Sequence, residues 1–349
     1  MTPLLVTATA AVTPAGGSAE QTACSIRARL ARRHEHVDAL ALAREGEAAE
    51  PVVVSSVRTI DAALKGHLRV VELLVAALEE LTLNAGLEPR ELTGAALLLA
   101  LPSGDDVVAT WPLEALAGDV SERTGIAFKV VRSSDSGHAA MVELLAEAAR
   151  LLDVGEVDAC VVAGADSFID VERLSALDAA ERVHTRRNVD GFCPAEGASA
   201  LLVESARRVR ARGAHACATI AALGRGKEPN PLRGSDRQST GAGLTDAMRA
   251  AAVGGAPLWL LDDLNGERYR AFELGLVRVR LGALFEGFQR VEHTALATGD
   301  LGAATGGVLV ATAIAAIRRG WSPGDALVVA SADGPLRAAA RISAPGERA

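Results

Sequence analysis

Lys129-Val-Val-Arg-Ser-Ser-Asp-Ser-Gly-His138-Ala-Ala-Met141 reads as an apolar strand, a polar turn and the opening of a helix. Apolar residues continue at Leu144, Leu145, Ala148, Leu151 and Leu152, which predicts a helix over 138–152. His138 stands where the strand hands the chain to the helix N-terminus. That end of a helix favours an anion and disfavours an imidazolium.

Outward from this unit, strand and helix patterns alternate in the manner of an α/β protein. The pattern predicts strands at 4–8, 95–101, 127–132, 158–163 and 198–203, with a long amphipathic helix at 65–83. Residues 38–58 lack clear periodicity and read as a loop, and Ile26–Arg33 reads as a surface helix. A second series follows: strands at 216–223, 258–261, 289–294, 326–330 and 337–343, and helices near 243–253, 267–284 and 302–318. The strand–turn–helix unit at 130–152 has a counterpart at 291–317, where Thr298-Gly-Asp-Leu-Gly-Ala-Ala-Thr-Gly-Gly307 opens the helix. Two similar halves, 1–205 and 206–349, would each point one helix N-terminus at a shared centre.

Composition narrows the class. Among 349 residues 49% are hydrophobic but only 3% aromatic, so the interior is Ala, Val and Leu, which suits helices packed closely on a sheet. The net charge of −8 argues against a general nucleic-acid binder. No apolar run approaches 18 residues and the N-terminus lacks a positive leader region, so a cytoplasmic protein without a membrane span is expected. Cys24, Cys160, Cys193 and Cys217 have neither metal-ligand spacing nor the density of a disulfide framework. Cys160 and Cys217 read as core thiols. Gln21-Thr-Ala-Cys-Ser25 has the look of a reactive-cysteine motif, but nothing nearby supplies a base.

Three segments carry a resemblance. Residues Ala148–Asp166 resemble the helix and strand behind the active-site cysteine of β-ketoacyl-acyl-carrier-protein synthases. Asp190-Gly-Phe-Cys-Pro-Ala-Glu-Gly-Ala198 is similar to their Asp-Gly-Phe-x-x-Gly-Glu-Gly-Ala signature, and Thr298–Gly307 to their Thr-Gly-His-x-x-Gly-Ala-Ala-Gly motif. The resemblance implies an α/β, thiolase-like fold of five layers, α-β-α-β-α, with two halves related by a pseudo-two-fold. It also implies a homodimer paired through the strand at 127–132, and a Cys-His-His set with a supporting lysine.

Position by position, that set is replaced here. The cysteine position falls on His138, the second histidine on Asp300 and the lysine on Ala295. The strand that should lead to the first histidine ends Leu260-Leu-Asp-Asp-Leu-Asn-Gly-Glu267, and the gating loop becomes Ala330-Ser-Ala-Asp-Gly-Pro335. His138 and Asp300 are then either a structural pair, Asp300 being a good helix cap, or an atypical acid–base pair. Ser136, two residues from His138, completes a formal Ser-His-Asp trio without a Gly-x-Ser-x-Gly elbow. Asp262, Asp263 and Glu267 read as a turn and first helical turn rather than a metal site. Arg182, Arg186 and Arg187, with Arg207, Arg208, Arg210 and Arg212, read as a solvated basic face or a docking patch for an acidic carrier protein.

The expected function is a 3-oxoacyl-(acyl-carrier-protein) synthase homologue, catalytically degenerate, serving as a partner, scaffold or acyl-group binder. Chain-length-type partner subunits of polyketide synthases, which lack the cysteine, set the precedent. The alternatives are an active acyltransferase built on His138 and Asp300, and a serine hydrolase using Ser136. No cofactor and no metal are expected.

Overall fold

In the computed structural model, residues 3–42, 48–103 and 113–346 are described. The strands are β1 (Leu4–Val12), β2 (His34–Leu40), β3 (Pro51–Val54), β4 (Ala96–Ala100), β5 (Val130–Ser134), β6 (Ala159–Ser167), β7 (Glu196–Glu204), β8 (Ala218–Lys227), β9 (Trp259–Asp262), β10 (Arg290–His293), β11 (Ala326–Ser331) and β12 (Leu336–Ser343). The helices are α1 (Ala19–Ala28), α2 (Gly66–Ala85), α3 (Leu113–Thr124), α4 (Ala140–Asp153), α5 (Val171–Ala179), α6 (Ala206–Ala211), α7 (Ala242–Ala251), α8 (Arg268–Arg280), α9 (Gly282–Gly287), α10 (Ala295–Thr298) and α11 (Thr305–Arg318).

Ten strands share one sheet in the order β10-β9-β11-β12-β8-β1-β7-β6-β4-β5. The order repeats on either side of the β1–β8 junction. Reading outward, β1-β7-β6-β4-β5 matches β8-β12-β11-β9-β10, with two antiparallel pairings followed by two parallel ones in each half. Within the sheet, the halves pair where Leu4–Val6 meets Ala218–Ile220. This repetition is the pseudo-two-fold.

Side-chain alternation generates the layers. Cys160 and Val162 of β6 face a central core built on α4 and α11, while Val161 and Ala163 face an outer core under α2 and α3. In the other half, Leu261 and Val328 join the central core, and Leu260 and Leu327 pack under α7 and α8. Helix, half-sheet, helix pair, half-sheet, helix: five layers result. The central helices α4 and α11 are each 14 residues long, and α11 is buried along most of its length. Small side chains permit this, since a helix enclosed on all sides has no room for branched bulk on every face.

Several elements depart from the sequence expectation. β2 and β3 pair antiparallel where a loop was expected over 38–58; β2 is mostly polar, and of the two strands Ala39, Val52 and Val54 reach a small core with Phe168 and Phe192. A half-exposed pair of strands leaves too weak an alternation to read. Helix α1 ends at Ala28, where Arg29 adopts a left-handed φ of 54°, so the arginine-rich stretch lies beyond it. The strand expected at 127–132 runs Val130–Ser134, and the helix expected at 267–284 breaks at Leu281 into α8 and α9.

Each central helix is entered through a 3-10 turn whose first residue is a left-handed glycine: Gly137 (φ 54°) before α4 and Gly302 (φ 52°) before α11. The two turns touch at the pseudo-axis. They differ in clearance. A Cβ on Gly137 would meet nothing nearer than Ser103 N at 3.8 Å, whereas on Gly302 it would lie 1.9 Å from Asp166 Oδ2. Gly302→Ala is therefore expected to cost at least 1 kcal/mol more than Gly137→Ala, which carries only the backbone strain of about 1 kcal/mol. Denaturant unfolding of the two variants checks this, and equal losses would contradict it.

Candidate functional site

His138 is the second residue of the turn at Gly137–Ala139 and is 5% exposed. Its counterpart across the pseudo-axis is Ala303, also buried. Between α10 and the Gly302 turn the chain places Asp300, which is 3% exposed. His138 Nε2 lies 2.6 Å from Asp300 Oδ1. The same carboxylate oxygen accepts from Gly302 N–H at 2.9 Å and so caps the turn into α11. Asn265 Nδ2 donates to the other oxygen, Oδ2, at 2.6 Å.

The far side of the imidazole faces Arg270, in the first turn of α8. Arg270 Nη2 lies 3.3 Å from His138 Nδ1 and donates to Asp333 at 2.9 Å, while Nη1 donates to Asp263 at 2.8 Å. Arg182 closes the network, donating to Glu267 and to Asp333 at 2.7 Å each. His138 and Arg182 belong to the first half of the chain, and Asp263, Glu267, Arg270, Asp300 and Asp333 to the second.

Four carboxylates thus surround two guanidiniums and one imidazole. Burial opposes charge on His138, but the Asp300 carboxylate outweighs it and Arg270's opposition, raising the imidazole above its ordinary value. Burial likewise opposes charge on Asp300, yet His138, Arg270 and Asn265 hold it well below the usual carboxylate range. Asp263 is pushed up by burial, against the pull of Arg270. In the neutral ring, Nε2–H donates to Asp300 and Nδ1 accepts from Arg270. In that tautomer both ring nitrogens are engaged, whereas in the imidazolium Nε2–H keeps Asp300 and Nδ1–H faces the guanidinium, donor to donor. A void lined by Asp262, Asp263, Arg270 and Ser331 measures about 10 Å³, room for one water at most.

The sequence-derived candidates divide. His138 and Asp300 are brought together. Ser136 is not part of their constellation: its hydroxyl donates to Glu143 at 3.3 Å, beside Ser134, which donates to Glu143 at 2.6 Å. The acidic residues 262, 263 and 267 do not converge on a common point. Asp262 pairs with His293 at 2.7 Å, Asp263 with Arg270, and Glu267 with Arg182 and Arg270. Among the described residues no group of three or more His, Cys, Asp or Glu is arranged to hold a metal.

Arg182 is no part of a docking face, being largely buried with both its partners, and Arg208 and Arg212 are committed to the buried Glu204. Cys160 is a buried thiol pushed up to about 12 by desolvation, and Cys24 is exposed on α1. Sequence reading missed Arg270 and Asp333. An arginine in a helix's first turn, three residues after Glu267, was the one available signal for the first. Asp333 stood in the Ala330–Pro335 segment without any mark of its partners.

With this geometry in place, comparison with known proteins is informative. Across 98–99% of its length the chain superposes on three solved structures, each covered to at least 99% and each at a TM-score of 0.77. They are a type II polyketide ketosynthase in complex with its acyl-carrier protein (14% identical), the ishigamide ketosynthase/chain length factor (15%), and a beta-ketoacyl synthase from Burkholderia phymatum (14%). The fold is thiolase-like. In sequence, the chain is 31% identical over 112 residues to a Streptomyces cyaneus protein named "Putative polyketide beta-ketoacyl synthase 1", a match spanning 29% of this chain and only about a quarter of that protein (26%). No family model matches. The chain contains no helix, among its described residues, long and apolar enough to cross a membrane.

The His138 shift has a defined consequence for stability. A group whose pKa is raised on folding stabilises fully below its unfolded value, about 6.5, and loses that contribution as pH rises through the folded value. The stability difference between the wild type and His138→Gln should therefore be largest near pH 5–6 and shrink on the alkaline side. Denaturant unfolding across pH 5–9 measures it. A difference that is flat, or that grows above pH 7, would contradict the assignment.

Proposed function

We propose that this ketosynthase-like chain is catalytically degenerate and acts as a partner or acyl-binding subunit rather than as a condensing enzyme. One observation supports the reading: His138, the residue the resemblance sets at the nucleophile's position, is a buried imidazole held between Asp300 and Arg270. A condensing reaction of this class needs a thiolate to accept the acyl group and donors poised for the developing oxyanion. Here the donors of the site are spent on Asp263, Asp300 and Asp333. An acid–base role for His138 would require one of its two contacts to open first, and a serine pathway lacks the imidazole at Ser136, whose hydroxyl faces the Glu143 carboxylate instead. The chain length factor named in one structural neighbour supports a protein partner.

The pairing surface is β5. Among the described residues it forms the outer edge of its half-sheet, with β4 as its only strand partner. Its side chains are mostly exposed, and an open groove of about 410 Å³ runs along it, between Phe128, Val131 and residues Leu113, Ala117 and Ser121 of α3. An unpaired edge with an apolar groove beside it is a template for a second strand. Pairing there with a second copy gives the homodimer expected from the sequence, now through Val130–Ser134.

Wild type and Val131→Asp are incubated with acyl-CoA and acyl-carrier protein, weighed intact and sedimented. No acyl adduct on either, a dimer for the wild type and a monomer for Val131→Asp are expected. A covalent adduct at His138 or Ser136 would overturn the degenerate reading. A wild type that sediments as a monomer would overturn the pairing surface.

A further inference from the structure

A second site opens away from the His138 network, between the β2–β3 hairpin and the start of α2 and α5. The cleft measures about 230 Å³. Scaled from the ~150 Å³ cavity that accepts a benzene, it holds roughly nine heavy atoms. Its walls are Val54, Leu64, Ile169 and Val171. Its floor contains two arginines already neutralised by carboxylates, Arg69 on Glu196 at 2.6 Å and Arg173 on Asp166 at 2.5 Å.

The remaining polar groups favour an anionic head. Lys65 lines the mouth and has no hydrogen-bond or ion-pair partner among the described residues; as the N-cap of α2 it makes no side-chain capping bond. His34 is held by Ser56 through Nε2 at 3.2 Å, which leaves Nδ1 without a partner among the described residues. Burial and the nearby Arg58 keep its imidazole on the neutral side of its ordinary value. With Ser56 donating to Nε2, Nδ1–H is a donor for a ligand. The lining carboxylates are placed differently. Glu35 and Asp38 are exposed at the rim, and Asp170 accepts from Glu172 N–H as the cap of α5.

The hairpin is held over the cleft by His36. Its Nδ1 accepts from the Asp38 and Ala39 N–H groups at 3.1 and 2.9 Å, and its Nε2 bonds Ile169 O at 3.1 Å. That clamp fixes one wall against the other, so the cavity is built into the fold rather than left between loose segments.

We propose that this cleft binds a small amphiphilic carboxylate, its apolar body between Val54, Leu64, Ile169 and Val171 and its carboxylate on Lys65 and His34. The proposal does not depend on the state of the His138 site: an acyl adduct there would leave it standing.

Octanoate, octanol and octylamine serve as probes in calorimetric and ligand-detected NMR titrations of the wild type, Lys65→Gln and Ala62→Trp. Ala62 is an exposed residue at the mouth, so the tryptophan blocks entry without entering the core. Octanoate is expected to bind with a Kd of about 1 mM or tighter. Lys65→Gln should weaken it about fivefold while leaving octanol unchanged, and Ala62→Trp should abolish both. Octylamine binding as well as octanoate, a Lys65→Gln affinity within twofold of wild type, or no binding of any probe would each overturn the proposal.

Discussion

The contact on which the arrangement rests is the imidazole of His138 held between the carboxylate of Asp300 and the guanidinium of Arg270. It lies on the pseudo-axis, where the two 3-10 turns meet, and it ties residues from the first half of the chain to residues from the second. The halves share only a short stretch of strand pairing between β1 and β8. They are joined further by the central helix pair, by α11 packed on α1 and β7, by backbone pairing of Pro194 with Asp300, and by this buried network. Buried charges are costly to desolvate, and a network of this kind persists only when each member has partners. Removing one partner strands the rest, at about 3–5 kcal/mol.

The same contact sets the chemistry of the molecule's centre. A thiolate at a helix N-terminus needs the turn open toward substrate. An imidazole there is bulkier, reaches across the axis and finds a carboxylate. Once Asp300 is in place, a cation behind the ring balances the charge, and Arg270 brings Asp263 and Asp333 with it. Arg182 then offsets Glu267 and the far oxygen of Asp333. Each member of this network makes sense only beside the others.

The sequence made the fold legible because duplication leaves marks that do not depend on side-chain contacts. Gly137 and Gly302 open equivalent helices, and the strand patterns of the two halves follow one order. The pairing of His138 with Asp300 was also within reach, since both occupy turns that the duplication brings to one centre. Arg182 was read as a surface cation because burial of an arginine is decided by tertiary partners, here Glu267 and Asp333, which lie 85 and 151 residues away. Asp333 was invisible for the same reason. The β2–β3 pair was missed because β2 is mostly polar and β3, Pro-Val-Val-Val, is too short and uniformly apolar for its sequence to show alternation. The cleft beneath it was therefore missed as well.

The most direct measurement of this account is a double-mutant cycle on His138 and Asp300, using His138→Gln, Asp300→Asn and the pair, read by denaturant unfolding at pH 6. A lock at the centre of the molecule predicts a coupling of about 1–3 kcal/mol, with the double variant losing less than the sum of the two single losses. Additivity to within about 0.5 kcal/mol would show that the two side chains merely sit side by side, and would contradict the account.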